Sequence, residues 1–598
     1  MHPPRVAWVA VVLLACTACN QVDRTRWSAR FGSSEAQRAL GERFATGDGV
    51  EKNLDEALVW LEKAAASGST AAQMRLVALY GERAAAGDAE KAERWLRAAA
   101  DRGDAHAQVM VADRLEAAGN HAEAAQWIAR AAEAGDPRGQ LEQARQLAKQ
   151  PGKETEALAL ITRAAEQGNP DAAWELVHTG KAGDAAATLR WIQVAADAGQ
   201  PDAQHELANR YAKGDGVQQD FVQARGWYEK AAAQGHAPSQ EALGFIYQTG
   251  RGADASPTEA AKWFELAANQ NQPASMNQLG VLYSRGLLPD AETAAKIDFF
   301  TTGGGQHDPD VADELKKVAA LGRANNDRKA VEWYRRAVDA GFTPAYSNLA
   351  KMLQDGRGAP ADPDEALRLY QKGAELGNPV ALSEMAVRYS RGDGVPKDPE
   401  ASFRNLKAAA EGGHGPAQVT LASMYAAGVG VAADPTQAAH WFRTALEAGE
   451  ESAQVPYATM LATGTGVPKD EAAALALFEK AAERGDATAL LSLGVFYEEG
   501  RANLEKDPHK AFKLLKQAAE QGNAIAQAKL GAAYVKGTGT RKNMIEAYGW
   551  LAASEVNEAQ ALVKALDKQL PAPLLAKARR LAEERRALRN PKPPPSEG

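Results

Sequence analysis

The sequence predicts an all-α solenoid of about fifteen helix pairs, closed by a C-terminal capping helix. Three observations carry that prediction. First, Gly341, Gly377, Gly413, Gly449 and Gly485 stand 36 residues apart, a period in the range that marks stacked-repeat proteins. Second, every interval reads alike: an apolar run with Ala, Leu and Tyr or Met, a turn rich in Gly and Asp, a second run with Ala and an aromatic or Leu, then an Ala-rich end. Third, hydrophobic residues make up 45% and charged residues 24% of the 598 positions, the balance of a soluble folded chain. The two cysteines are Cys16 and Cys19, so beyond them apolar packing must hold the fold without disulfides or cysteine-ligated metal.

The chain opens on a processing signal, residues 1–15. Arg5 supplies a positive charge, and Val6 to Ala15 is an unbroken apolar run, too short for a permanent span of about 20 residues. It ends in Leu13-Leu14-Ala15-Cys16, which resembles the lipobox of bacterial lipoproteins. That resemblance implies cleavage before Cys16 and lipidation there. Cys19 follows the small residue Ala18 and is the alternative, and a plain secretory signal cut after Ala18 is the other reading. Neither cysteine is followed by Asp. By resemblance to lipoprotein sorting in Gram-negative bacteria, this implies a periplasmic protein anchored to the inner leaflet of the outer membrane.

Residues 16–33 read as a lipidated polar tether, with Trp27 set to pack on the first repeat. Residues 34–199 hold one full repeat and four leaner ones. In the first, Ala36, Leu40 and Phe44 share one helix face, and Ala57, Trp60 and Ala64 share another. The lean copies replace the long turn by Ala86-Gly87-Asp88, Gly119-Asn120, Gln150-Pro151-Gly152 and Ala182-Gly183-Asp184. Full-length units return over 200–305.

The stretch from Gln272 to Gly341 reads as two degenerate pairs rather than one repeat with a long insertion. One pair has Leu279, Gly280 and Tyr283, then Ala294, Ile297 and Phe300. The other has Ala312, Leu315 and Ala319, then Ala330, Trp333 and Ala337. Gly303-Gly304-Gly305 between them reads as a hinge or as a slack loop. Regular units continue through 306–558. The capping segment, 559–589, places Leu574, Leu575, Leu581 and Leu588 inward and Lys577, Arg580 and Glu584 outward. Residues 590–598 carry four prolines and read as a disordered tail.

The repeat resembles the Sel1-like repeat, a relative of the tetratricopeptide repeat. The matching text is Ala-x-x-x-Leu-Gly-x-x-Tyr, then Gly-x-Gly-Val, then Ala-x-x-Trp/Phe/Tyr-x-x-Lys-Ala-Ala, best seen from Ala36 to Gly68 and from Ala203 to Gly235. The small residue after Leu (Gly41, Gly244, Gly280, Gly494, Gly531) suits close helix approach. Nine of the 12 tryptophans share one slot of the second helix: Trp60, Trp95, Trp127, Trp191, Trp227, Trp263, Trp333, Trp441 and Trp550. Recurrence at one slot favours packing between successive pairs over a stacking ladder for sugars or bases. On that reading Trp333→Ala costs about 3–5 kcal/mol.

Chemistry-bearing motifs are missing from the sequence. There is no Gly-x-Ser-x-Gly elbow. His205-Glu206 lacks the second histidine of a zinc helix, and Gly428-Val429-Gly430 and Gly537-Thr538-Gly539 lack the Lys-Ser/Thr of a phosphate loop. Asp48, Asp215 and Asp393 read as turn residues. The net charge of −8 argues against nucleic acid. The basic cluster Lys577, Arg579, Arg580, Arg585, Arg586 and Arg589 is broken by Glu583 and Glu584, which reads as a solvated helix face.

The expectation is therefore a non-enzymatic scaffold with no cofactor and no metal. Its partners would be envelope proteins: an outer-membrane porin, or periplasmic biosynthesis or modifying enzymes. Repeats plus lipobox look most like the scaffold lipoproteins of alginate-type exopolysaccharide export. The alternatives are a regulator of peptidoglycan enzymes or envelope stress signalling, and a polysaccharide-processing enzyme.

Overall fold

A computed structural model describes residues 21–288, 290 and 310–588. Among these every regular element is helical. Two compact units divide the chain, one through Ser275 and one from Met276. The first begins with α1 (Gln21–Arg30). Seven helix pairs follow: α2 (Ser34–Thr46) and α3 (Leu54–Ala66), α4 (Thr70–Arg83) and α5 (Asp88–Asp101), α6 (Ala105–Ala117) and α7 (His121–Glu133), α8 (Pro137–Leu147) and α9 (Glu154–Glu166), α10 (Pro170–His178) and α11 (Ala185–Asp197), α12 (Pro201–Lys213) and α13 (Phe221–Ala233), α14 (Ala237–Thr249) and α15 (Pro257–Ala268).

The second unit takes up most of α16 (Pro273–Ser284), which pairs with α17 (Asp310–Asp339). Next come α18 (Thr343–Gln354) and α19 (Pro363–Glu375), α20 (Pro379–Arg391) and α21 (Pro399–Glu411), and α22 (Gly415–Ala427) and α23 (Pro435–Glu447). The last pairs are α24 (Gln454–Thr463) and α25 (Glu471–Glu483), α26 (Ala487–Glu499) and α27 (Pro508–Glu520), and α28 (Ala524–Lys536) and α29 (Met544–Ser554). Two further helices, α30 (Asn557–Gln569) and α31 (Ala572–Arg586), end the unit. Each unit is a solenoid of stacked pairs.

The expected tether is helical over α1. Ala29 is buried, its carbonyl accepts from Gln37 Nε2 at 3.1 Å, and Arg26 lies over the Phe44 ring at 5.8 Å. Residues 16–20 fall outside the described residues, as does the side chain of Trp27. The bond to Ala29 is the first of a series. Gln73, Gln108, Gln204, Gln240, Gln418 and Gln527 each donate from Nε2 to the carbonyl eight residues earlier, at 3.0–3.3 Å. Each ties the start of a first helix to the last turn of the preceding second helix, whose terminal carbonyls lack intrahelical donors.

Fourteen pairs are present among the described residues, where the sequence suggested fifteen. Residues 306–341 do not fold as a pair: Asp310 to Asp339 is one continuous helix. Gly358 supplies the register. A Cβ there would meet the Asp327 carbonyl oxygen at 2.1 Å, just as Cβ atoms at Gly466 and Gly539 would meet the Pro435 and Pro508 oxygens at 2.0 Å. Pro435 and Pro508 begin their helices, so Asp327 marks the start of an ordinary second helix, and Asp310 to Asn326 extends it backwards. No proline interrupts the run, and tertiary bonds hold the residues that would otherwise favour a turn. Asn326 Nδ2 donates to the Leu288 carbonyl at 2.9 Å, and Asp327 accepts from Arg357 at 2.5 Å. Among the described residues, α16 and the part of α17 from Asp327 make one repeat, and Asp310 to Asn326 precedes its second helix in the same rod. Ala294, Ile297, Phe300 and the Gly303–Gly305 junction lie outside the described residues.

The core slot is one residue further along the second helix than the tryptophans suggested. The position after Trp is buried in every pair: Leu61, Leu96, Ile128, Ile161, Ile192, Tyr228, Phe264, Tyr334, Tyr370, Leu406, Phe442, Phe478, Leu515 and Leu551 are at most 8% exposed. This side chain enters the notch left by the small first-helix residue. A Cβ on Gly41, Gly244, Gly280 or Gly531 would fall 2.5–2.6 Å from Leu61, Phe264, Tyr334 or Leu551. Of the nine tryptophans, Trp127, Trp191 and Trp550 are buried and the other six are half-buried. Trp95, Trp227 and Trp441 each pack against two neighbouring apolar clusters, so they do seal successive pairs, but from the rim. A cation lies over seven of the nine rings, from Lys230 on Trp227 at 3.5 Å to Arg94 on Trp95 at 5.3 Å.

The capping segment also differs from expectation. It is two helices, and on α31 the buried residues are Ala578 and Ala582. Leu575 packs on that core, whereas Leu574 and Leu588 are exposed. Small residues sit inside because α31 lies close on α29: a Cβ at Gly549 would meet Leu581 Cβ at 3.1 Å. Arg585 is not part of a solvated face. Its guanidinium stacks on Trp550 at 4.0 Å, pairs with the Glu546 carboxylate and donates to the Glu546 carbonyl at 3.2 Å.

Candidate protein-interaction surface

The two units treat the faces of their first helices differently. In the first unit, successive first helices are laced by ion pairs. Arg75 on α4 meets Glu42 on α2 at 3.0 Å, Arg138 on α8 meets Asp113 on α6 at 3.0 Å, and Arg145 on α8 meets Glu175 on α10 at 2.9 Å. The second unit drops these charges in its middle. Neither α22 nor α24 contains a charged residue, and α26 has none before Glu498.

Two adjoining cavities open on this uncharged face. The larger, about 550 Å³, is lined by Ser423, Phe442, Val455, Pro456, Thr459 and Met460 among others. The smaller, about 220 Å³, shares Thr459 and continues over Thr463, Ser492, Val495 and Ile525, with Arg501 and Lys529 at its edge. Pro456 shapes the larger one. It has no N–H to donate and its ring crowds the carbonyl four residues back, so the segment starts as a 3₁₀ turn at Glu451–Ala453 and α24 begins only at Gln454.

The hydroxyls on this face are mostly spent on their own helices. Ser423 donates to Val419 O, Thr459 to Val455 O, Thr463 to Thr459 O and Ser492 to Thr488 O, all at 2.8–2.9 Å, the back-bonding pattern of helical Ser and Thr. At the edge, Arg501 is clamped by Glu471 at 2.9 Å. The Glu471 carboxyl is held down at about 2 by the Lys469 ammonium, then by the Ala502 N–H and Arg501.

Elsewhere the structure joins residues that looked scattered in sequence. His205 Nδ1 and His236 Nδ1 lie 2.9 and 2.8 Å from Ser239 Oγ, and His236 Nε2 lies 3.1 Å from Asp202. The set has the residue types of a hydrolytic triad, but Ser239 is fully buried and no substrate carbonyl can reach its oxygen. The cluster instead joins α12 to α14. Burial, with His236 adding to it, pushes His205 down to about 4.

Among the described residues no three His, Cys, Asp or Glu are placed to hold a metal, and no helix is long and apolar enough to cross a membrane. Asp215 pairs with Arg210 at 3.3 Å as a turn residue. Cys16 and Cys19 lie outside the described residues. The uncharged face had a sequence signal that repeat matching ignores: solvent-exposed first-helix positions without Lys, Arg, Asp or Glu.

The Sel1 repeat pattern matches at residues 34–69, 71–104, 107–136, 149–169, 201–236, 237–272, 273–296, 321–342, 343–378, 379–414, 415–450, 452–486, 487–523 and 524–554. The chain belongs to the Sel1 repeat family. The separate matches at 273–296 and 321–342 leave residues 297–320 between them. No curated protein matches the chain. Three of the solved structures that resemble it illustrate the likeness.

The first is c5321, a protective antigen of uropathogenic Escherichia coli, at 24% identity and TM-score 0.44, covering 95% of this chain and 94% of that one. The second is a Sel1 repeat protein from Oxalobacter formigenes, at 27% identity and TM-score 0.36, covering 46% of this chain and 96% of that one. The third is a putative Sel1 repeat protein from Klebsiella pneumoniae, at 24% identity and TM-score 0.24, covering 34% and 99%. Sel1 repeat proteins act as scaffolds for protein–protein interaction, and the fold is generally non-catalytic.

Proposed function

We propose that this chain is a lipid-anchored periplasmic scaffold, held through Cys16 at the inner leaflet of the outer membrane, that gathers proteins of an envelope assembly. The observation that carries the scaffold reading is the first-helix face over α22, α24 and the start of α26, which bears no charge and on which two adjoining cavities open. Leu13-Leu14-Ala15-Cys16 supports the anchor. Exopolysaccharide export of the alginate type is the assembly proposed, with an outer-membrane porin or periplasmic biosynthesis enzymes as partners.

The test is fractionation and in-cell cross-linking of the full chain beside Cys16→Ala and Cys19→Ala. The wild type and Cys19→Ala should sediment with outer membrane and carry acyl label, and Cys16→Ala should be released. A porin or polysaccharide enzyme should cross-link to the wild type. Recovery of all three in the cytosol, or label that depends on Cys19, overturns the anchor. Absence of any cross-linked envelope protein overturns the scaffold.

A further inference from the structure

The chemistry of the uncharged face restricts what can occupy it. A charged segment would lose its hydration there for little return, because α22 and α24 carry no charge, the edge guanidinium of Arg501 is committed to Glu471 and the edge Lys529 already stands 3.8 Å from Glu498. A sugar polymer or an extended peptide would fare little better. Both need hydrogen-bond donors from the wall, yet the hydroxyls of Ser423, Thr459, Thr463 and Ser492 have given their one proton to their own carbonyls and can only accept. An extended backbone pressed on these residues would leave C=O groups without a donor, at about 1–3 kcal/mol each. An α-helix satisfies its own backbone before it docks.

Spacing narrows the occupant further. Both cavities border α24, one mainly against α22 and α23 with Thr488 of α26 at its end, the other against α25, α26 and α28. A helix with its side chains is roughly 10–12 Å across, and residues i and i+7 of a docked helix stand about 10.5 Å apart. Two apolar side chains on one face of a helix, two turns apart, therefore reach both cavities at once. The floors are apolar and solid: Phe442 and Met460 under the first, Phe478 and Phe496 under the second, each buried.

We infer that the face of α22, α24, α26 and α28 is the docking groove for an amphipathic helix of a partner protein, seated by uncharged apolar anchors at i and i+7. This rests on the scaffold reading and names the kind of partner.

The test pans the full chain with a display library of 16-residue alanine-based helical peptides, randomised at i, i+3, i+4 and i+7. Selected peptides should carry large apolar residues at i and i+7 and no charge on that face. Their affinity should fall at least tenfold with Thr459→Arg and, separately, with Thr463→Arg. Val59→Arg, on an exposed position of α3, should leave it unchanged, with circular dichroism matching wild type throughout. Failure to select any peptide, selection of charged anchors, or binding indifferent to both groove variants overturns the inference. An envelope partner that cross-links to wild type and to both variants alike sinks the groove while leaving the scaffold standing.

Discussion

Replacing Tyr334 and its neighbour Trp333 by alanine, one at a time, separates core from rim in these repeats. Tyr334 is 3% exposed. Its ring occupies the notch at Gly280, where even a methyl group would sit 2.5 Å from a ring carbon. Its removal leaves a cavity that backbone close-packing cannot collapse, and the expected loss is about 3–5 kcal/mol. The bond between Tyr334 Oη and Ser284 Oγ, 3.2 Å long, is lost as well, but Ser284 keeps the Val281 carbonyl as a partner.

Trp333 is half-buried, so water replaces much of what leaves. Losing roughly 100 Å² of burial plus the Arg336 stack, 4.2 Å from the ring, amounts to about 3 kcal/mol with no cavity left behind, the low end of the 3–5 kcal/mol that a core tryptophan would cost. Stacked repeats unfold in parts, so the readout is hydrogen exchange of α16 and α17 amides rather than one melting curve. Trp333→Ala destabilising these helices as much as Tyr334→Ala would refute the assignment of the core slot.

Three other outcomes follow from the same contacts. His205, facing His236, Ser239 and Asp202, with the Tyr228 ring tilted against it, takes up its proton near 4 when folded and near 6.5 when unfolded. The unfolded chain thus binds more protons between those values, and stability falls as pH drops from 6.5 to 4. The full shift is worth roughly 3 kcal/mol, reduced to about 1–2 kcal/mol by partial exposure. His205→Gln should flatten that window in exchange measurements on α12 and α14, and an unchanged pH slope would contradict it. Gly466→Ala adds a Cβ 2.0 Å from the Pro435 oxygen at φ +72°, so a loss of about 2 kcal/mol or more in the protection of α23 and α24 is expected. Arg585→Ala removes the clamp on Glu546 and Trp550 at about 2–3 kcal/mol. Faster tryptic cleavage within α30 and α31 should report it, and cleavage at the wild-type rate would show the clamp to be idle.

The period, the turn glycines and the Ala-Leu-Gly pattern determined the helical repeat and most of its boundaries, because each is a local consequence of helix geometry and turn stereochemistry. The Gly-x-Gly turn, for example, needs a left-handed first glycine and a second without a side chain to meet the neighbouring helix, and both demands are written into 36 residues. Three decisions needed the tertiary structure. Which residue of a Trp-Tyr or Trp-Phe pair is core depends on a partner one helix away, at Gly244 or Gly280. Whether Asp310 to Asp339 is one helix or two depends on Leu288 and Arg357, which hold Asn326 and Asp327 from outside the helix. The candidate groove arises where Pro456 delays α24 and where exposed charge is missing from two helices and the start of a third, separated in sequence but adjacent in the stack. A repeat pattern records what every copy shares. The site lies in what these copies lack, and only the stacking places those omissions side by side.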